Sequence, residues 1–454
     1  MIKKTITTLC TVLLLTGVSA AQSATLTLDS VLSATRQNYP TLSEGDLTRA
    51  TGKALREALW YAYIPQLSLE GRAHHQSDVT SVEMKVRETP EGEQPSPMDE
   101  MLGNMLKKIE MPTIPKFQYD AYAQVSQLLW DGGRIAAGTR QVDANTSVQL
   151  AQQQQEVEQV VEGVQELYFG LLMLDAQTRA QQVMIDELSR QEQRVSNALR
   201  NGVATQNDYD EVKLEMISAR QTMETLHESR AAVLSALSIY MGRELDEGTT
   251  AALPATPLVE EDSAVTAPTG ELRFAPKKST HTLLDARGDL AKAEYSSALA
   301  KGMPTIALFA RGGYGRPGLN MLNPDPQSYF MYGATFSWNL GELYSLGKHK
   351  QVRDHTLRLL ELKRDAFELT TRAKVVEQQK EVRQYRRLVD RDKEILDLRK
   401  RISDRAEVQA EAGTITTTER LQKLSAYTIA QQTYEAHRIQ LLRALYRVKT
   451  TLGE

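Results

Sequence analysis

Cysteine is almost missing from this chain: among 454 residues there is one, Cys10, and it lies inside an apolar stretch close to the start. If that stretch is removed with a leader, the remaining chain has no thiol. Disulfide frameworks, thiolate metal sites and a cysteine nucleophile are then excluded. Proline (15) and glycine (26) are also scarce, which excludes collagenous and proline-rich architectures. Aromatic residues make up only 6%, little for the core of a compact enzyme. Beyond the first 20 residues the longest apolar run is about Tyr168 to Leu174, far short of the ~20 residues a membrane-spanning helix needs. Excess positive charge is lacking too. The formal net charge is -4, which gives no footing for nucleic acid.

The sequence does begin with a recognisable leader. Lys3 and Lys4 form a basic start, Leu9 to Leu15 an apolar stretch, and Ser19-Ala20-Ala21 a small-residue cleavage site. Residues 1–21 are the expected signal peptide, and Cys10 sits too deep within it to be a lipidated first residue. The product is exported.

Internal duplication organises the rest. Gly202 and Gly413 each interrupt a long helical tract, 211 residues apart, and each is followed 40 residues later by another glycine, Gly242 and Gly453. The tracts ahead of them open after Trp130-Asp131-Gly132-Gly133 and after Leu340-Gly341. Val157, Val160, Val164, Leu167, Leu171 and Leu174 form a coiled-coil seam in the first long tract, and Tyr209, Val212, Met216, Ala219 and Met223 form one in the helix that follows. The expected division is a first repeat at 22–242, a linker or equatorial segment at 243–280, and a second repeat at 281–454. In the first repeat, helices are expected at about 28–63, 133–200 and 205–241, with strands at about 66–74 and 119–130. In the second, helices are expected at about 281–302, 345–411 and 416–452, with strands at about 305–314 and 329–339. The fold class is therefore mainly α with a small β part.

The four strand segments alternate polar and apolar residues, as in Gln66 to Arg72 and Tyr119 to Ser126. Phe330, Tyr332, Ala334, Phe336 and Trp338 give the fourth an aromatic face. In an exported chain without a spanning helix this pattern predicts an outer-membrane barrel. Four strands cannot close alone, since about eight is the practical minimum. Several copies must share one barrel, because an open sheet edge cannot face lipid. Two would fill the interior with side chains; three would supply twelve strands and a pore.

With these features together, the chain resembles the TolC family of outer-membrane efflux proteins. The resemblance is carried by the duplicated helix-strand-strand-helix-helix order, by Leu128-Leu129-Trp130-Asp131-Gly132-Gly133-Arg134 at a strand-to-helix transition, and by Gly202 and Gly413. It implies a homotrimer with a twelve-stranded β-barrel in outer-membrane lipid, continuing into a long periplasmic α-helical barrel. It also implies a periplasmic adaptor (membrane fusion protein) and an inner-membrane pump of RND, ABC or MFS type, in tripartite efflux or type I secretion. No cofactor, metal or catalysis is implied. The competing class is a coiled-coil-rich surface or structural protein of the envelope, against which the strand pairs between the helices argue.

Candidate sites follow from the same resemblance. Glu419 stands six residues after Gly413, at a position where the family narrows its pore with an acid, and the second such position holds Gln422. The first repeat places Asp208 and Glu211 at the corresponding positions. These four are the expected pore gate; the structural alternative is that the acids simply favour the first turn of a helix. Gly202, Val203, Ala204, Gly413, Thr414 and Ile415 are the expected adaptor-contact tip, with Val203 and Ile415 exposed and Asn201 or Thr205 as cap. The helix ahead of the second turn supplies Arg401 and Arg405 as candidate basic partners for Glu419. Other motifs carry less. His74-His75 is too short for a metal pattern, and Met98, Met101, Leu102 and Met105, with Met111 beyond them, read as an amphipathic segment. Ser345-Leu346-Gly347-Lys348 lacks the companion motifs of a serine acylase. Arg311 to Gly315 leads into a loop rather than a helix, against phosphate binding.

Overall fold

The computed structural model describes residues 25–79, 96–107, 115–254, 279–321 and 323–453. The signal peptide, Cys10, Met111 and most of the 243–280 linker lie outside them. The chain packs into two compact units: one comprises the chain up to Gly45, Gln152–Thr282 and Arg364–Glu454, the other Asp46–Ala151 and Leu283–Lys363. Each unit thus draws on both sequence repeats. Within the described residues no helix is long and apolar enough to cross a membrane.

The element order is β1 (Thr25–Leu26), α1 (Leu28–Asn38), α2 (Thr41–Trp60), a 3-10 turn at Tyr61–Tyr63, β2 (Gln66–His75), α3 (Pro97–Lys107), β3 (Phe117–Trp130), α4 (Arg134–Arg200) and α5 (Gln206–Met241). Then follow β4 (Thr250–Ala251), α6 (Ser279–Lys301), β5 (Thr305–Arg316), β6 (Gln327–Ser337), α7 (Gly341–Glu411) and α8 (Thr417–Leu452). One expected helix is two. The span 28–63 breaks at Tyr39, which is extended (ψ 128°) because Pro40 disfavours the helical region for the residue before it. The second long helix starts at Gly341 rather than 345, with Asn339 Oδ1 accepting the Gly341 N–H at 3.1 Å. The last strand runs 327–337 rather than 329–339, and the Trp338 indole instead donates to the Gly302 carbonyl at 3.0 Å. The methionine segment is helical, and Met98, Met101, Leu102 and Met105 are all exposed on α3.

In the first unit the seam residues Val164 and Leu171 are fully buried, against Leu234 and Leu237 of α5 and Leu26, Leu28 and Val31. A second core joins Val375 and Val382 of α7 to Leu441, Leu445 and Val448 of α8. Polar groups in this interior are paired in a way that fastens the segment after α5. Asp175 binds Arg230 at 2.7 Å and accepts the Ala251 N–H at 3.1 Å, while Arg230 also donates to the Glu247 and Thr249 carbonyls. The Tyr168 hydroxyl lies 2.9 Å from the Leu26 carbonyl and 2.5 Å from that of Ala252, and burial pushes its pKa far above the ordinary phenol value. These contacts hold β1 and β4 as a short parallel pair.

In the second unit four antiparallel strands form one sheet in the order β2-β3-β5-β6. Its central pairing runs between repeats, with Tyr119 opposite Arg316 and Val125 opposite Ala310. The Trp130 to Arg134 motif makes the turn out of β3. Asp131 Oδ1 accepts the Gly133 N–H at 2.8 Å and Oδ2 the Ile135 N–H at 2.6 Å, capping α4. Gly132 has φ +69°, and a Cβ there would sit 2.5 Å from the Met303 Cβ, so only glycine fits. Arg134 ties the turn to the end of α6 by donating to the Ala300, Lys301 and Met303 carbonyls.

Candidate functional site: two helical tips and a two-faced sheet

The two hairpin tips are built alike. Gly202 (φ +71°) and Gly413 (φ +68°) take the left-handed conformation that ends α4 and α7. The next N–H returns to the helix in both: Val203 to the Ala198 carbonyl at 2.8 Å, and Thr414 to Gln409 at 2.9 Å. Thr205 and Thr416 then cap α5 and α8. The Asp208 carboxylate accepts the Thr205 N–H at 2.8 Å, and the Glu419 carboxylate accepts that of Thr416 at 3.1 Å. Thr205's hydroxyl and N–H hold the Asp208 carboxyl below the usual carboxylate range. Val203 is 82% exposed, whereas Ile415, expected to be equally free, is half-buried.

The expected gate residues therefore occupy defined places. Glu419 and Gln422 are exposed, three residues apart on α8, with Glu419 also serving the cap. Glu211 accepts a hydrogen bond from Thr418 at 3.2 Å and so joins the first hairpin to the second. Among the described residues neither Arg401 nor Arg405 forms an ion pair with Glu419.

The main electrostatic contact near the tips lies one residue further on, at Arg420. Its guanidinium, with the side chain only 6% exposed, donates to Glu187 and to Gln191 (2.7 Å) of α4, and to Glu407 (3.3 Å) of α7. Glu187 is 10% exposed and also binds Arg190 at 2.7 Å and Arg194 at 3.2 Å. A buried carboxylate is thus shared by three arginines, one of them from the other repeat. Counting 211 residues back from Arg420 gives Tyr209, whose hydroxyl lies 3.5 Å from Glu192. That mismatch between repeats was the available signal for Arg420.

The sheet has two chemically different faces. Leu67, Leu69, Val125, Phe330, Tyr332 and Phe336 are large, apolar and exposed on one of them. The other carries Glu70, Asp120, Tyr122, Gln124, Arg311 and Tyr329. These lie across the strands: Tyr122 donates to Glu70, Tyr329 to Asp120 at 2.6 Å, and Arg311 to Gln124 at 2.7 and 2.9 Å. The Arg311 guanidinium also stacks 3.9 Å from the Tyr122 ring centre. Gly313, opposite both tyrosines, makes room for them. A Cβ there would lie 2.7 Å from the Tyr122 Cβ and from the Tyr329 hydroxyl. Among the described residues, strands β2 and β6 each pair on one side only.

No family model matches the sequence, and no curated protein matches it. Solved structures do share the fold. The outer-membrane channel OprN superposes with a TM-score of 0.63 at 14% identity, over 94% of this chain and 89% of that one. The outer membrane protein VceC from Vibrio cholerae gives 0.61 at 14%, over 94% and 96%. The MtrE outer membrane channel of Neisseria gonorrhoeae, in its open state, gives 0.64 at 13%, over 94% and 88%. The chain has the fold of these outer-membrane channels along almost its whole length.

Proposed function

We propose that this chain is the outer-membrane duct of an efflux or type I secretion assembly, passively conducting substrates delivered by a pump and its adaptor. The observation that carries the reading is the four-stranded sheet, apolar and exposed on one face, polar and hydrogen-bonded on the other, and, among the described residues, unpaired at both edges. Apolar-out, polar-in alternation is what a membrane barrel requires. Three copies joined β2 to β6 give twelve strands and leave no edge. The long helices then extend into the periplasm, in line with the shared fold of the outer-membrane channels. In this reading the tips at Gly202, Val203, Ala204, Gly413, Thr414 and Ile415 receive the adaptor. Glu419, Gln422, Asp208 and Glu211 set the charge at the pore entrance, where threefold symmetry triples each carboxylate. Channel conduction, not catalysis, is the activity.

Disulfide cross-linking tests the assembly. The chain without its leader lacks cysteine, so a pair placed on the edges, Leu69→Cys on β2 and Tyr332→Cys on β6, reports on edge contact alone. Oxidation in outer membranes should give a covalent trimer and no larger ladder. A product that stays monomeric, or one that extends without limit, would refute the closed twelve-stranded barrel.

A further inference from the structure

The polar face of the sheet sets one charge apart from the rest. Residues of this face stand in rows across the strands, about 7 Å apart at two residues' rise per row. Counted from the end nearest the helices, the rows of Thr305, Ala307 and Phe309 contain no ionisable group, and Arg311 in the next row is the first charge. Glu70 lies one row beyond it, and Arg72 and Asp120, opposite each other, lie two rows beyond. Neither carboxylate pairs with Arg311. Tyr122 donates to Glu70 and Tyr329 to Asp120 at 2.6 Å, so tyrosines take the acceptors that a guanidinium would otherwise use.

Neutral groups fix Arg311 instead. Its Nε and Nη2 both donate to Gln124 Oε1, at 2.9 and 2.7 Å, and its guanidinium lies 3.9 Å from the Tyr122 ring centre. Among the described residues it has no ion pair and its Nη1 has no acceptor, so the Nη1/Nη2 edge of the fork is open. That edge matches a carboxylate, sulfonate or phosphate bidentately. Beside it lies an apolar shelf. Met331 is directly opposite Arg311, and Phe309, two residues back on the same face, is opposite Gly333. A Cβ at Gly333 would lie 3.2 Å from Phe309 Cε1, so glycine gives the ring its place against β6. Arg311, Phe309 and Met331 are each half-buried, which leaves all three some surface to offer.

We propose that Arg311, Phe309 and Met331 form a binding site for amphipathic organic anions, which place their acidic group on the fork and their apolar body on the shelf. The guanidinium is held in position before a ligand arrives, so little side-chain freedom is lost on binding. The inference deepens the duct reading and rests on it for the lumen. Three copies set three such sites at one level, ahead of the other charges of the strands, and mark the conducted solutes as anionic. The site itself is complete within one chain.

Two measurements on the purified full chain test it: titration calorimetry with 2-naphthalenesulfonate in lipid nanodiscs, blanked against empty nanodiscs, and conductance in planar bilayers. Methanesulfonate, which lacks the ring, and 2-naphthylmethylammonium, which reverses the charge, are the controls. Saturable binding of naphthalenesulfonate at one per chain is expected, with none of either control. Arg311→Gln and Phe309→Ala should each weaken binding about tenfold, the worth of one hydrogen bond to a charged group or of part of a buried ring. Glu70→Gln removes the nearest carboxylate along the face and leaves an oxygen for Tyr122; it should strengthen binding, a gain that misfolding cannot produce. Binding without conductance would support the site and refute the duct, whereas conductance without saturable binding would overturn the site and leave the duct standing. Equal binding of naphthylmethylammonium, or affinity unchanged by Arg311→Gln and Phe309→Ala, would overturn the proposal as well.

Discussion

Replacing Arg420 with methionine keeps the aliphatic stem and removes three contacts at once: Glu187, Gln191 and Glu407. Cutting one partner from a buried ion pair costs about 3–5 kcal/mol when the other charge is left uncompensated. Here Glu187 keeps Arg190 and Arg194, whose side chains are 65% and 43% exposed and so compensate weakly through solvent. The net loss should be about 2–4 kcal/mol, felt where the two hairpins meet. Amide hydrogen exchange reads this locally. At 1.4 kcal/mol per factor of ten, protection of the α4 amides from Glu187 to Gln191 and of the first turns of α8 should fall roughly 30- to 700-fold. Residues of the second unit should be unaffected. A double-mutant cycle with Glu187→Gln apportions the pair, with an expected coupling above about 1 kcal/mol. Loss of protection below about threefold, or strict additivity of the two substitutions, would show that Arg420 is not what holds the hairpins together.

Three further outcomes are expected. Gly313→Ala should strongly reduce assembled protein in the membrane, because its Cβ meets Tyr122 and Tyr329 at 2.7 Å; Gly71→Ala, with nothing within 4 Å, should be silent on the same immunoblot. The Asp208 cap should follow pH in one direction. A carboxyl held below its unfolded value of about 3.9 stabilises the helix start fully above that pH and loses the contribution as pH falls through its lowered value. Thermal melts of Asp208→Asn and the parent should therefore differ at pH 6 and draw together as the pH falls below about 3.9, and a difference that grows on acidification would refute the cap. Finally, Glu419→Gln should lower cation preference in single-channel recordings and Glu419→Lys reverse it, with the fold retained; unchanged selectivity in both would leave Glu419 only its capping role.

Much of the architecture was legible because it obeys local periodicity. The four strands announce themselves by alternation, and Gly202 and Gly413 sit where a left-handed residue must end a helix. Of the two caps offered for the first tip, Asn201 and Thr205, the structure uses Thr205, and Thr416 takes the same place in the second. What escaped depends on groups far apart in sequence. Arg420 and Glu187 are 233 residues apart, so nothing near either reveals the pairing. Glu419, beside it, drew attention because acids at that place fit a gate. The break at Tyr39 was hidden for another reason. The apolar pattern runs on through Pro40, and only the backbone restriction, not the pattern, stops the helix. Ile415 was expected to be exposed like Val203, but it is half-buried.

The sheet order also dictates when this protein can be finished. β2 and β3 pair as a hairpin from the first repeat, but β3 takes its other neighbour from β5, with Tyr119 set against Arg316. Until synthesis has carried the chain past that point, β3 has a bare hydrogen-bonding edge and an uncovered apolar face. A two-stranded ribbon has little stability of its own in water, and such surfaces aggregate. Sheet formation is therefore late and of high contact order, whereas α4 and α5 are contiguous in the chain and can pair early. Until then the chain is a helical hairpin carrying an unfinished sheet, and the bare β3 edge is the surface most open to wrong pairing.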